Sequence, residues 1–242
     1  MKTELLFVAW PYISVGLLLV GVAVRFLLTR NHEAVIAAEI QQARAVFGGG
    51  AIWKASLTLL LAGHLALLAL PSGVLAWNRS PARLYLLEAV FFIIGCTAIV
   101  CCIRLVLRHV QRTSAPAAIE ICDTIFWSLL LMSLLTGSLI AILYRWGSSW
   151  GAMTLSPYTL SLLRGKPKAG LVTQMSLLIR LHVFCAFSTI AAFPLTRLAA
   201  IAVRAAHSGA SLAARPLVAT GRLAESWLRR HNPGSWIWPE ED

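Results

Sequence analysis

The chain is short of charge and shorter still of acid: 13% of its 242 residues are Asp, Glu, Lys or Arg, and only 10 are acidic. A soluble domain carries about twice that share, so a well-solvated surface is excluded. Cysteine motifs are also missing. Cys96, Cys101, Cys102, Cys122 and Cys185 lie in or at the ends of apolar runs, and none is spaced C-x-x-C or C-x-x-C-H. That removes a zinc or iron–sulfur site and a covalently attached haem, and leaves the thiols as packing residues. No nucleic-acid recognition motif accompanies the net charge of +11, so nucleic acid is not an expected partner. Nor is there an inverted repeat or a pair of interrupted apolar segments, which argues against a small transporter.

What is present is apolar. The sequence is 58% hydrophobic with a mean hydropathy of +0.75. Its repeated runs of about 20 apolar residues are long enough for helices to cross a ~30 Å hydrocarbon core. The expected fold is all-α: an integral membrane bundle of five transmembrane helices, with spans at about 5–28, 52–70, 84–106, 119–143 and 175–203. The first run is longer than a signal-peptide core and is closed by Arg25 and Arg30 rather than by small residues, so it reads as a span.

Between the spans we expect an amphipathic connector over 29–50, a short loop over 71–83 and a longer loop over 144–173. A cytoplasmic tail is expected over 205–242, after a membrane domain of 1–204. Glu120 and Asp123 suit a helix N-terminus through the macrodipole, and Pro194 should kink the fifth span or loosen its end. His32 and His109 sit among basic residues and read as solvated.

Five spans put the termini on opposite sides. With the N-terminus outside, thirteen of the 21 basic residues fall on inner segments, as the positive-inside rule prefers. Two histidines then lie at matched depth within apolar runs: His64 near the outer end of span two and His182 near the outer end of span five. An ionisable side chain at membrane depth is costly and marks function by default. Two neutral imidazoles facing each other across a bundle suit the two axial positions of an iron porphyrin. The face of His182 carries Cys185, Ala186, Thr189 and Phe193, and Gly63 adjoins His64. The competing reading is that each ring hydrogen-bonds a carbonyl or hydroxyl within the bundle.

Four motifs then carry a resemblance: Trp10-Pro11-Tyr12; Gly63-His64 with Pro71 seven residues after the histidine; Arg180-Leu181-His182; and Phe193-Pro194-Leu195-Thr196-Arg197. In these spans and this order, over roughly residues 5–205, the chain resembles the gamma subunit of respiratory nitrate reductase. That family is a five-helix membrane cytochrome b passing quinol electrons to a cytoplasmic iron–sulfur and molybdenum pair.

The resemblance implies a bacterial-type inner membrane, a b-type haem on His64 and His182 near the outer face, a quinone, lipid surroundings, and iron–sulfur or cytochrome subunits as partners. Its second, inner haem takes histidines at the positions of Lys54 and Ala200. Both are absent here, so one haem is expected unless His207 pairs with Lys54.

For the quinone the candidates are Arg83, where the family carries a basic residue, with Tyr85 and Glu88. Against them stands a carboxylate merely paired with Arg83 or Arg79. Arg180 is a candidate for a haem propionate, or else a headgroup anchor. The alternative function is a non-redox membrane anchor or assembly subunit that has lost its haems.

Overall fold

A computed structural model gives the fold over residues 2–29, 33–111, 117–209 and 226. Helix α1 covers Lys2–Thr29, α2 Glu33–Phe47, α3 Ala51–Ala69, α4 Pro71–Trp77, α5 Pro81–Val110, α6 Ala117–Leu143, α7 Gly147–Leu163, α8 Gly170–Thr173 and α9 Leu177–Ala192. A 3-10 turn over Phe193–Leu195 ends α9, and helical backbone resumes as α10 over 199–209.

Five of these segments are long and apolar enough to cross a membrane: Glu4–Thr29, Ala51–Ala69, Pro81–Val110, Ile119–Leu143 and Leu177–Leu195. Their outer surfaces expose large apolar side chains such as Leu19, Val20, Leu65, Ile93 and Ile142. Water would tolerate no such belt, and lipid matches it.

The spans pack in the order α1, α9, α6, α5, α3, and α7 leans on both α3 and α4. The end of the bundle where α1 begins is its upper end, and the opposite end its lower. A cluster of Phe7, Tyr158, Leu162, Ala169, Val172 and Val183 joins α1, α7, α8 and α9. A second, built on Phe47, Trp53, Cys102, Leu105, Phe126 and Trp127, joins α2, α3, α5 and α6 at the lower end.

Both expected loops are largely helical. Pro71 opens α4, its missing amide harmless at a first helical position. The 144–173 stretch forms α7 and α8, although α7 contains Pro157 and several small residues that weaken a helix on their own. Its support is tertiary. Glu88 accepts hydrogen bonds from Ser148 N at 2.8 Å and Ser148 Oγ at 2.7 Å, which satisfies a first-turn amide. Ser156 Oγ donates to Leu67 O at 2.7 Å. Tyr158 Oη donates to Phe7 O, and Tyr12 Oη to Leu162 O, each at 2.7 Å. Burial, with Tyr12 beside it, pushes the Tyr158 phenol up, so it stays a donor at ordinary pH.

The fifth span is not one helix over 175–203. Pro194 ends it, and the chain breaks before α10. Broken backbone at membrane depth requires other partners for its carbonyls, and Arg25 of α1 supplies them. Its Nη1 donates to Thr196 O at 2.6 Å and to Pro194 O at 3.3 Å, while Nη2 pairs with Glu39 of α2 at 2.8 Å. A Cβ on Gly21 would stand 2.6 Å from that of Pro194, so glycine is what lets α1 pass the break.

Just beyond, Arg197 Nε meets Asp123 Oδ2 at 2.6 Å and Arg197 N donates to Asp123 Oδ1 at 3.2 Å. Asp123 is fully buried and Arg197 nearly so. Asp123 is thus the buried partner of a charge in the break of the fifth span, beyond any dipole role.

Removing one member of a buried pair leaves the other charge uncompensated, at about 3–5 kcal/mol. Asp123→Ala should therefore lower stability in a denaturant titration far more than the double change Asp123→Ala with Arg197→Met. Equal losses in the two variants would show that the pair carries no such weight.

Candidate functional site

His64 of α3 and His182 of α9 face each other with ring centroids 6.2 Å apart and ring planes 33° apart. Each is fixed through Nδ1. His64 Nδ1 lies 2.7 Å from Leu60 O, four residues back on its own helix. His182 Nδ1 lies 3.1 Å from Ser133 O and 3.1 Å from Thr136 Oγ1, both on α6.

A carbonyl only accepts, so in both rings Nδ1 carries the hydrogen and Nε2 is left with a lone pair. This is the tautomer a histidine adopts as a metal ligand. Thr136 Oγ1 donates to Met132 O at 2.7 Å, which leaves its oxygen free to accept from His182.

The spacing can be tested against an iron porphyrin. Metal–imidazole bonds of about 2.0 Å, plus ~1.15 Å from nitrogen to ring centre, put two axial rings about 6.3 Å apart. The observed separation fits. Gly137 of α6 flanks His182, and a Cβ there would stand 3.1 Å from the ring's Cε1. Ala186 and Thr189 continue the His182 face, both half-buried, and Thr189 Oγ1 turns back to Cys185 O at 2.8 Å. Gly63 is pressed against Phe91 of α5, where any Cβ would run into the ring.

Arg180 keeps its Nε buried without a hydrogen-bond partner, and so does Ser176 Oγ one turn earlier. These two unpaired buried polar atoms, at the start of the helix that carries His182, are of the kind that an anionic edge such as a haem propionate needs.

The quinone candidates are placed together but engaged separately. The Arg83 guanidinium lies over the Trp77 ring at 5.4 Å. Tyr85 packs edge-on against Trp146 at 5.0 Å. Glu88 is held by Ser148, so its partner is a serine and not Arg83 or Arg79. Phe91, one turn beyond Glu88, touches Gly63 and puts this turn of α5 beside the histidine pair.

Toward the lower end, Lys54 is exposed and Ala200 is 1% exposed. His207 stacks on Phe26 of α1, centroids 4.2 Å apart, with its Nε2 buried and unpartnered. His109 corrects the expectation of a solvated ring: it is buried, with Nε2 3.1 Å from Thr124 Oγ1. His32 lies outside the described residues. Among the described residues no group of three or more His, Cys, Asp or Glu is arranged for a metal ion.

Sequence reasoning missed Ser133, Thr136 and Gly137. Their signal was a small, polar patch inside an otherwise apolar span, the usual mark of a close helix approach in membranes. In the ¹⁵N-histidine NMR spectrum of haem-free protein, His64 and His182 should both appear as the Nδ1–H tautomer. An Nε2–H signal from either would contradict the anchoring.

A family model described as nitrate reductase gamma subunit matches residues 3–207. No curated protein matches the chain.

Proposed function

Because the chain belongs to the nitrate reductase gamma-subunit family, we propose that it is a membrane cytochrome b with one haem, exchanging electrons between a quinone pool and a redox partner. The family is the quinol-oxidising electron-transfer subunit of the nitrate reductase complex and typically binds b haems. The observation that carries the haem reading is the pair of rings 6.2 Å apart, each with Nδ1 on a carbonyl oxygen and Nε2 left to face a metal.

In this reading His64 and His182 would hold the iron, and the hydrogen bonds at Nδ1 fix each ring's tautomer and raise its basicity. Ala186 and Thr189 leave room for the macrocycle. Arg180 and Ser176, each with a buried unpartnered polar atom, would be available to its propionates. The bound group would supply one-electron chemistry at iron. Lys54 and Ala200, standing where the family has its second pair of ligands, offer no neutral imidazole. The upper end of the bundle faces outward, with the C-terminus cytoplasmic, and partner subunits supply the substrate chemistry.

A quinone seat beside Glu88 completes the proposal. Ser148 holds Oε1, and the carboxylate takes a proton as a quinol gives up its electrons. Arg83 and Tyr85 border the seat.

Reduced-minus-oxidised spectra of the purified protein should show a b-type band at about one haem per chain. His64→Ala and His182→Ala should each abolish it, and His109→Ala should leave it in place. A band that survives both ligand changes would defeat the assignment.

Glu88→Gln keeps an oxygen to accept from Ser148 but cannot take the proton. Haem reduction by quinol should fall by about 10² or more while reduction by dithionite is unchanged. An unaltered quinol rate would leave Glu88 as a helix cap alone.

A further inference from the structure

Three helices repeat one spacing. On α3, Trp53 lies eleven residues from His64; on the fifth span, Phe193 lies eleven residues from His182; on α6, Phe126 lies eleven residues from Gly137. Eleven residues are about three turns, bringing a side chain back to within about 20° of the same helix face and about 16 Å along the axis. In every case the displacement runs toward the lower end, because α3 and α6 climb while α9 descends.

Each helix that contributes to the histidine level therefore sets an aromatic ring on the same face beneath it. These rings meet. Phe126 and Phe193 are 6.4 Å apart, Trp53 and Trp127 6.1 Å, Phe47 and Phe126 5.8 Å, and Phe47 stacks on Trp127 at 5.1 Å with planes 16° apart. Trp127 is 1% exposed and its indole N–H finds no acceptor, so the stack is held by packing. Leu198 closes against the same cluster, and Ala200 beyond it is buried.

We propose that Trp53, Phe126, Trp127 and Phe193 form an aromatic floor that fills the space a second porphyrin would need, so that the bundle presents its redox group at the upper end only. This rests on the single-haem reading above and adds to it: the second haem is excluded by packed volume as well as by missing ligands. Interiors packed to crystal density admit no large flat group without losing side chains. Tryptophan and phenylalanine hold no electron at b-haem potentials, so the floor is a spacer and not a relay.

Lys54→His with Ala200→His restores two imidazoles at the positions the resemblance marks. With the floor intact, haem content by pyridine haemochrome should stay at about one per chain. Two per chain would show that only ligands were missing and would overturn the proposal. Adding Trp127→Ala should then raise haem content above one. No rise, with the original band retained, would equally overturn the floor as the obstacle.

If the triple variant fails to fold, unaltered protein decides. In right-side-out and inverted membrane vesicles, sorted by access to an N-terminal tag, the haem is reduced with a permeant quinol and then exposed to ferricyanide. That impermeant oxidant takes one electron from ferrous iron and becomes ferrocyanide. Oxidation should be at least about tenfold faster where the upper end is exposed, a bias of about 1.4 kcal/mol in barrier. Equal rates would overturn the proposal. A protein with no b-type band at all would instead defeat the function proposed above.

Discussion

The buried contact between Asp123 and Arg197 is the constraint on which the site geometry depends. A carboxylate with no solvent exposure at membrane depth exists only with a partner, and this one takes both the guanidinium and a backbone amide of Arg197. It anchors the end of the fifth span to α6 where that span has just lost its helical hydrogen bonds at Pro194. Arg25 closes the carbonyls left open. About 15 Å along α6, Ser133 and Thr136 hold His182. Two polar ties at separated heights fix rotation and translation together, which neither does alone. His182 consequently points into the bundle because α9 cannot turn.

Much of this was legible in the sequence, for identifiable reasons. Long apolar runs have one solution in lipid, so five spans followed from hydropathy. The two histidines stood out because an imidazole in such a run is an anomaly. Trp10 and Tyr12 were visible only as part of a resemblance, and the fold supplies their physical role. Trp10 Nε1 donates to Ser188 Oγ at 3.0 Å and Tyr12 to Leu162 O, tying α1 to α9 and to α7.

The rest was illegible because its determinants lie far apart in the chain. Helix α7 has poor intrinsic propensity, and its stability comes from Glu88, Leu67 and Phe7, between 60 and 151 residues away. No local window contains them. His109 read as solvated because Arg104 and Arg108 adjoin it, yet α5 extends past Val106 and turns this ring onto Thr124. Asp123 read as a helix-terminal acid because its partner lies 74 residues on. Charge in a sequence shows its neighbours and conceals its counterion.

The two histidines are held unequally, and the inequality follows from the packing order. His182 is fixed to a second helix, whereas among the described residues His64 hydrogen-bonds only its own. Helices α3 and α9 share little direct contact: α3 leans on α5 and α7, α9 on α6 and α1. A flat group sliding between the rings would therefore separate few side chains, since the helices carrying them are already supported from behind. Had α3 and α9 packed together, a flat group between them would have cost a helix interface. The spacing between the two rings is thus set by the outer contacts of the bundle, with one ring tied to a neighbouring helix and the other to its own.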